Sequence, residues 1–206
     1  MNEKLKSKIP VWLSDCGAVV AVNEDPFAVA VVTPIMSRAH STAFASDICF
    51  VDSTASCDAD NHVITFMLTP TPAGAVPLGL VITDSVSESA YTTGFNLLKQ
   101  ILPESSFGGS NCPATFMTDD SDAEENALLS TWPDAILRLC LFHVPQAVWR
   151  WLWLASHNIS KDDRQTLMDE FRRIMYCVTE DAFEEAINSE TAVEYENYQK
   201  YLEVGT

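Results

Sequence analysis

Basic residues are what this sequence is short of: 12 lysines and arginines stand against 29 aspartates and glutamates, a formal net charge of −17. So acidic a chain cannot hold DNA or RNA by bulk attraction, because phosphate binding needs clustered Lys and Arg. A nucleic-acid role would rest on a local basic face, a metal ion or another segment. Close cysteine pairs are lacking too. The six cysteines, Cys16, Cys49, Cys57, Cys112, Cys140 and Cys177, include no CxxC, which predicts free thiols buried as small apolar side chains in a reducing compartment. No apolar run reaches the roughly 18 residues of a membrane span. Lys4, Lys6 and Lys8 do precede an apolar stretch, but Asp15 breaks it and Asn23-Glu24-Asp25-Pro26 ends it at a turn. That argues against a secretion signal. There is no internal repeat, and the expectation is a soluble, intracellular protein.

What is present is enough for a core. The hydrophobic fraction is 47% with five tryptophans, and 206 residues suit one ordinary domain or one with a small appendage. "FAVAVVTPIM" (27–36) is apolar and β-branched, with Pro34 ending it. "DICFVDST" (47–54), "HVITFML" (62–68) and "VPLGLVIT" (76–83) predict an antiparallel meander of three strands, the last two joined by a Thr-Pro-Thr-Pro-Ala-Gly turn. The period then becomes helical over 85–102, with Tyr91, Phe95 and Leu98 on one face and a serine at the start. "PATFMT" (113–118) is a fourth strand. "SDAEENALLSTW" (121–132) is a helix with Ser121 as N-cap and acids in its first turn, and "AILRLCLF" (135–142) is a fifth strand. From Pro145 on, everything reads helical. The fold class is α/β with a helical extension.

Two acids stand out on this map. Asp52 closes the first strand of the meander and Asp119 closes the fourth. Strand C-termini in an open α/β sheet converge on one edge, where ligands bind. Two carboxylates brought together there repel unless a cation sits between them, and Mg²⁺ is the natural guest. Acids that cap helices or face water are the equally open reading at this point.

The ordered motifs resemble the ribonuclease H-like core of Mutator-like (MULE) transposases. The stretches that carry the resemblance are "ICFVDSTASCD", "AGAVPLGLVITDSVSESAYTTGFNLLKQILP", "FMTDDSDAEENALLSTWPDAILRLCLFHVPQAVWRWLW" and "FRRIMYCVTEDAFEEA". Within them Asp52-Ser53-Thr54, Thr118-Asp119, Trp132-Pro133 and Cys140-x-x-His143 follow one another in the family's order, and the resemblance spans roughly 27–200. It implies a ribonuclease H-like mixed sheet, the three-strand meander plus further strands, with a C-terminal all-helical insertion. The divisions are a lead-in at 1–26, the core at 27–157 and the helical insertion at 158–206.

By the same resemblance Asp52 and Asp119 are the catalytic, metal-ligating acids, with Mg²⁺ or Mn²⁺ as cofactor and transposon-end DNA as partner. The setting is the nucleus. Asp120, Cys140 and His143 are candidates to stand behind the metal ligands. A structural zinc takes four ligands, and no second CxxC or HxxxH accompanies Cys140 and His143, so zinc is not supported. The family's third acid, a Glu, lies beyond the helical insertion. Glu180, Glu184, Glu185, Glu190 and Glu194 fall inside that insertion and the sequence stops at Thr206, so the expectation is a truncated core, inactive as it stands. Two functions follow. One is DNA cleavage and strand transfer by two-metal phosphoryl transfer in an intact relative. The alternative is a domesticated, non-catalytic transcription-regulatory or protein-interaction module, which the −17 charge favours for the chain alone; a decaying element with no selected function is a third.

Three features have bland readings beside sharper ones. Trp149, Trp151 and Trp153 could stack bases, but packing against the sheet is the simpler expectation. Lys161, Arg164, Arg172 and Arg173 could touch a DNA backbone, but Asp162, Asp163, Asp169 and Glu170 surround them and suggest a solvated, salt-laced face. Arg38 and His40 fit the resemblance without a role of their own.

Overall fold

The computed structural model describes residues 16–55, 58–189 and 193–204. Expectations that rest on Lys4, Lys6, Lys8, Asp15, Cys57 and Glu190 lie outside the described residues. The chain divides into two compact units, Met1–Cys140 and Leu141–Thr206. Among the described residues no helix is long and apolar enough to cross a membrane.

The first unit is mixed α/β, built on a seven-stranded sheet. Within the stretch read as a lead-in, β1 (Val19–Glu24) pairs antiparallel with β2 (Phe27–Val32), and the expected turn at Asp25-Pro26 joins them. Pro34 does more than end β2. It opens α1 (Pro34–His40), a helix the sequence reading missed, because Thr33 accepts the Met36 N–H and proline costs nothing in a first turn. The meander is as expected: β3 (Ile48–Thr54), β4 (Val63–Thr71) and β5 (Gly74–Thr83) pair antiparallel in that order. Helix α2 (Glu88–Ile101) begins later than its first serine suggested, since Ser87 rather than Ser85 accepts the capping N–H, from Ala90.

Strand β6 (Thr115–Thr118) then pairs parallel with β3, helix α3 (Asp122–Thr131) follows, and β7 (Ile136–Leu139) pairs parallel with β6. Ser121 stands at the N-cap of α3 without a side-chain capping bond. The strand order is β1-β2-β5-β4-β3-β6-β7.

Period-two alternation decides which side of the sheet is dry. Cys49, Val51, Val63, Thr65, Met67, Phe116 and Thr118 are buried, alongside Tyr91, Phe95, Leu98, Ala127 and Leu128 of the helices. Trp132 closes this core against Phe95, Phe107 and Phe116. The aromatic-Pro motif is thus a packing element. Helix α2 reaches the sheet through Gly94, where an added Cβ would stand 2.3 Å from Val81 Cγ1. His40 is buried as a bridge: its Nε2–H donates to the Leu78 carbonyl (3.1 Å) and its Nδ1 accepts the Phe107 N–H (3.2 Å). Burial lowers its pKa to about 4, against the upward pull of that carbonyl.

The second unit is helical, with α4 (His143–Leu152), α5 (Lys161–Met175), α6 (Glu180–Ile187) and α7 (Glu196–Val204). Val148, Leu152, Leu167, Met168, Phe171, Tyr198 and Leu202 form its own core, and the Tyr198 hydroxyl donates to the Leu167 carbonyl at 3.0 Å.

Candidate functional site

The site is a seam between two parallel strands. Ile48, Cys49 and Phe50 of β3 pair with Thr115, Phe116 and Met117 of β6. Continued by two residues, that register sets Asp52 level with Asp119. Both acids share the parity of Phe50 and Met117, opposite to that of the buried Val51 and Thr118. Asp52 is exposed and does not close β3 as expected, because Ser53 and Thr54 beyond it still pair with Thr65 and Ile64 of β4. Asp119 is half-buried. Its Oδ1 is cut off from solvent and meets no hydrogen-bond donor among the described residues. A buried carboxylate oxygen without a donor is expensive, and a hard cation shared with a neighbouring carboxylate is the chemistry that offsets it. Such an oxygen is donor chemistry that suits a divalent ion.

The other side of the same seam holds a third acid that sequence reasoning passed over. Glu124, in the first turn of α3, is 1% exposed. Ser53 Oγ donates to its Oε2 at 2.6 Å, and Thr118 Oγ1 donates to its Oε1. Ser53 Oγ also meets Thr65 Oγ1 at 2.8 Å. Burial raises the Glu124 pKa; the two hydroxyl donors oppose the rise, and the charges of Asp119 and Asp52 add to it. Tyr91, in contact with Ser53, is likewise raised by burial. The sequence had read Glu124 only as a dipole-favouring acid. Its signal was the helical spacing that puts it on one stripe with Ala127, Leu128 and Thr131, all buried.

The other candidates are placed differently. Asp120 is exposed. The strand expected over 135–142 stops at Leu139, so Cys140 and His143 do not end it. Cys140 follows it, half-buried, its N–H donating to the Thr118 carbonyl at 2.7 Å. His143 instead opens α4 in the second unit. Glu180, Glu184, Glu185 and Glu194 are exposed, also in the second unit.

The described cysteines are free, but only Cys49 is fully buried, and burial raises its thiol pKa well above the ordinary value; Cys16 is exposed. Trp151 stacks on His157 and Tyr201. Trp149 and Trp153 pack edge to face and stay exposed. Arg164 is not part of a solvated basic face, because its guanidinium lies 4.4 Å from the Trp153 ring centre. Arg172 pairs with Asp169 as expected.

Among the described residues, one group of three potential metal ligands has its atoms within 4.8 Å of one another: Asp58, Asp60 and His62, in the β3–β4 connection. There the geometry is self-contained. Asp58 Oδ1 accepts the His62 N–H (2.9 Å) and Oδ2 meets the ring Nδ1 (2.5 Å), bonds that lower the Asp58 pKa.

Residues 48–147, from the start of β3 into α4, match the family model of the MULE transposase domain. No curated protein matches the chain.

Proposed function

Since residues 48–147 of this chain match the MULE transposase domain model, we propose that its first unit is a ribonuclease H-like core whose Asp52 and Asp119 hold Mg²⁺ or Mn²⁺ for phosphoryl transfer on DNA. One observation carries the reading: Asp119 Oδ1 is buried and without a donor among the described residues, and Asp119 stands two residues beyond the last β3–β6 rung, as Asp52 does. The sheet supports it, with three antiparallel strands leading by β3 into parallel β6 and β7.

When bound, divalent ions here would lower the pKa of an attacking water and stabilise charge on the attacking and leaving oxygens. The protein's own part is positional. Asp52, exposed, meets the solvent side from which a phosphodiester arrives, and Asp119, half-buried, anchors the ion to the sheet. A −17 chain repels a polyanion over most of its surface, and the acidic rim would admit phosphate only with cations bound. The nucleus is part of the same proposal, as the compartment that holds the DNA.

The same charge favours a second reading, a non-catalytic module that binds protein partners or regulates transcription. Titration calorimetry with Mn²⁺ on the wild type, Asp52→Asn and Asp119→Asn, beside a DNA-nicking assay, separates the two. The first reading expects binding that both substitutions abolish, in a core that lacks the family's third acid and does not nick. Absence of binding in the wild type overturns it and favours the regulatory module. Mn²⁺-dependent nicking by the wild type would keep the metal site and overturn the expected inactivity.

A further inference from the structure

We propose that Glu124 is the positioning residue of the Asp52–Asp119 rim, clamping β3 to β6 from the core side of the sheet and so setting the separation of the two acids. The inference rests on reading those acids as cation ligands. The paired rungs between β3 and β6 reach only as far as Phe50 and Met117, so the backbone ladder stops short of the acids. Glu124 takes over where it stops. One carboxyl oxygen accepts from Ser53, the residue after Asp52, and the other from Thr118, the residue before Asp119. Thr65 on β4 braces Ser53 from behind. The bridge and the acids thus occupy the same level of the sheet, on opposite faces.

An acid is a costly choice for this position. The side chain lies on the buried stripe with Ala127 and Leu128, where a leucine would pack without desolvating a carboxyl. What leucine cannot do is tie two strands through two hydroxyls. Two repelling carboxylates will splay unless something fixes the strands beneath them, and a fixed spacing is what a cation with demanding geometry requires.

The test uses the 206-residue chain with E124L, E124Q and, as a control on the same helix, L128V. Mn²⁺ affinity is measured by calorimetry, amide exchange in β3 and β6 by NMR, and thermal unfolding alongside. E124L is expected to bind Mn²⁺ roughly 10- to 100-fold more weakly and to lose protection at the seam amides. E124Q, which keeps an acceptor and can take a hydroxyl's lone pair with its amide, is expected to retain most of both. L128V should lower Tm with affinity unchanged, a pattern that a purely structural role for Glu124 would share with E124L. Wild-type affinity in E124L, or loss of affinity in L128V equal to that in E124L, overturns the proposal. If the wild type binds no Mn²⁺, the ligand reading of the aspartates fails by itself. The clamp then stands if E124L still exposes the seam amides, and falls if all variants protect them alike.

Discussion

Acids gather at two places in the first unit, and they are handled in opposite ways. In the β3–β4 connection Asp58 uses both oxygens on His62, one on its backbone N–H and one on its ring. At the β3–β6 seam Asp119 keeps a buried oxygen that meets no donor among the described residues, beside a second acid at the same level. Proximity alone would favour the first cluster, whose three ligand atoms are close together. Satisfaction favours the second. A carboxylate whose two oxygens already accept from its own neighbours must give up those bonds to take an ion, whereas an oxygen left without a donor gains on binding. The number of acids at a place says less about a cation than what their oxygens lack.

The sharpest way to break this comparison is substitution at both places. Asp119→Asn is expected to abolish Mn²⁺ binding, while Asp58→Asn and His62→Ala leave it intact; the reverse result, read by calorimetry, would move the site to the loop. The next largest effect is on stability against pH. His40 has a folded pKa of about 4 against an ordinary 6.5, so its neutral bridge contributes fully above pH 6.5 and is lost as pH falls from there toward 4. Urea unfolding should show roughly 3 kcal/mol of that loss, absent in His40→Asn.

A smaller effect comes from the seam. Thr118→Val takes one donor from a buried carboxyl and should cost about 1–3 kcal/mol by urea unfolding at pH 7. The two clusters also differ in sign. Glu124 is raised, so its contribution is present below its ordinary 4.5 and fades as pH rises through its folded value. Asp58 is lowered, so its contribution is present above 3.8 and fades as pH falls. Smallest of all is Asp58→Asn, an exposed group whose loss should lower Tm only slightly at neutral pH and remove the acid-side slope.

Much of the seam was legible in the sequence. Strands β3, β4 and β5 announce themselves by β-branched residues between turn signals, and Asp119 follows directly on the last residue of β6, while Asp52 stands two residues short of the end of β3. The helical face of Tyr91, Phe95 and Leu98 was equally plain. What escaped notice had a local signal pointing elsewhere. Pro34 looks like a terminator until Thr33 is known to cap the helix behind it. Leu141 and Phe142 prolong an apolar run beyond the last rung of β7, because hydrophobicity does not say where pairing ends. Arg164 sits among acids in the chain yet packs on Trp153 in space. Glu124 looked like one more acid in a helix's first turn, and only its neighbours across two strands reveal its use.

The parentage of the β3–β6 seam bears on how the molecule comes together in time. The β4–β5 turn closes within a few residues, but Ile48 must find Thr115 across the whole of β4, β5 and α2. Contacts so distant along the chain form after local ones, since their loop entropy must first be overcome. Asp52 and Asp119 therefore approach each other only when most of the sheet already stands, and their repulsion falls on the final stage of folding. On the proposed reading, a cation at the rim would then slow unfolding far more than it speeds folding.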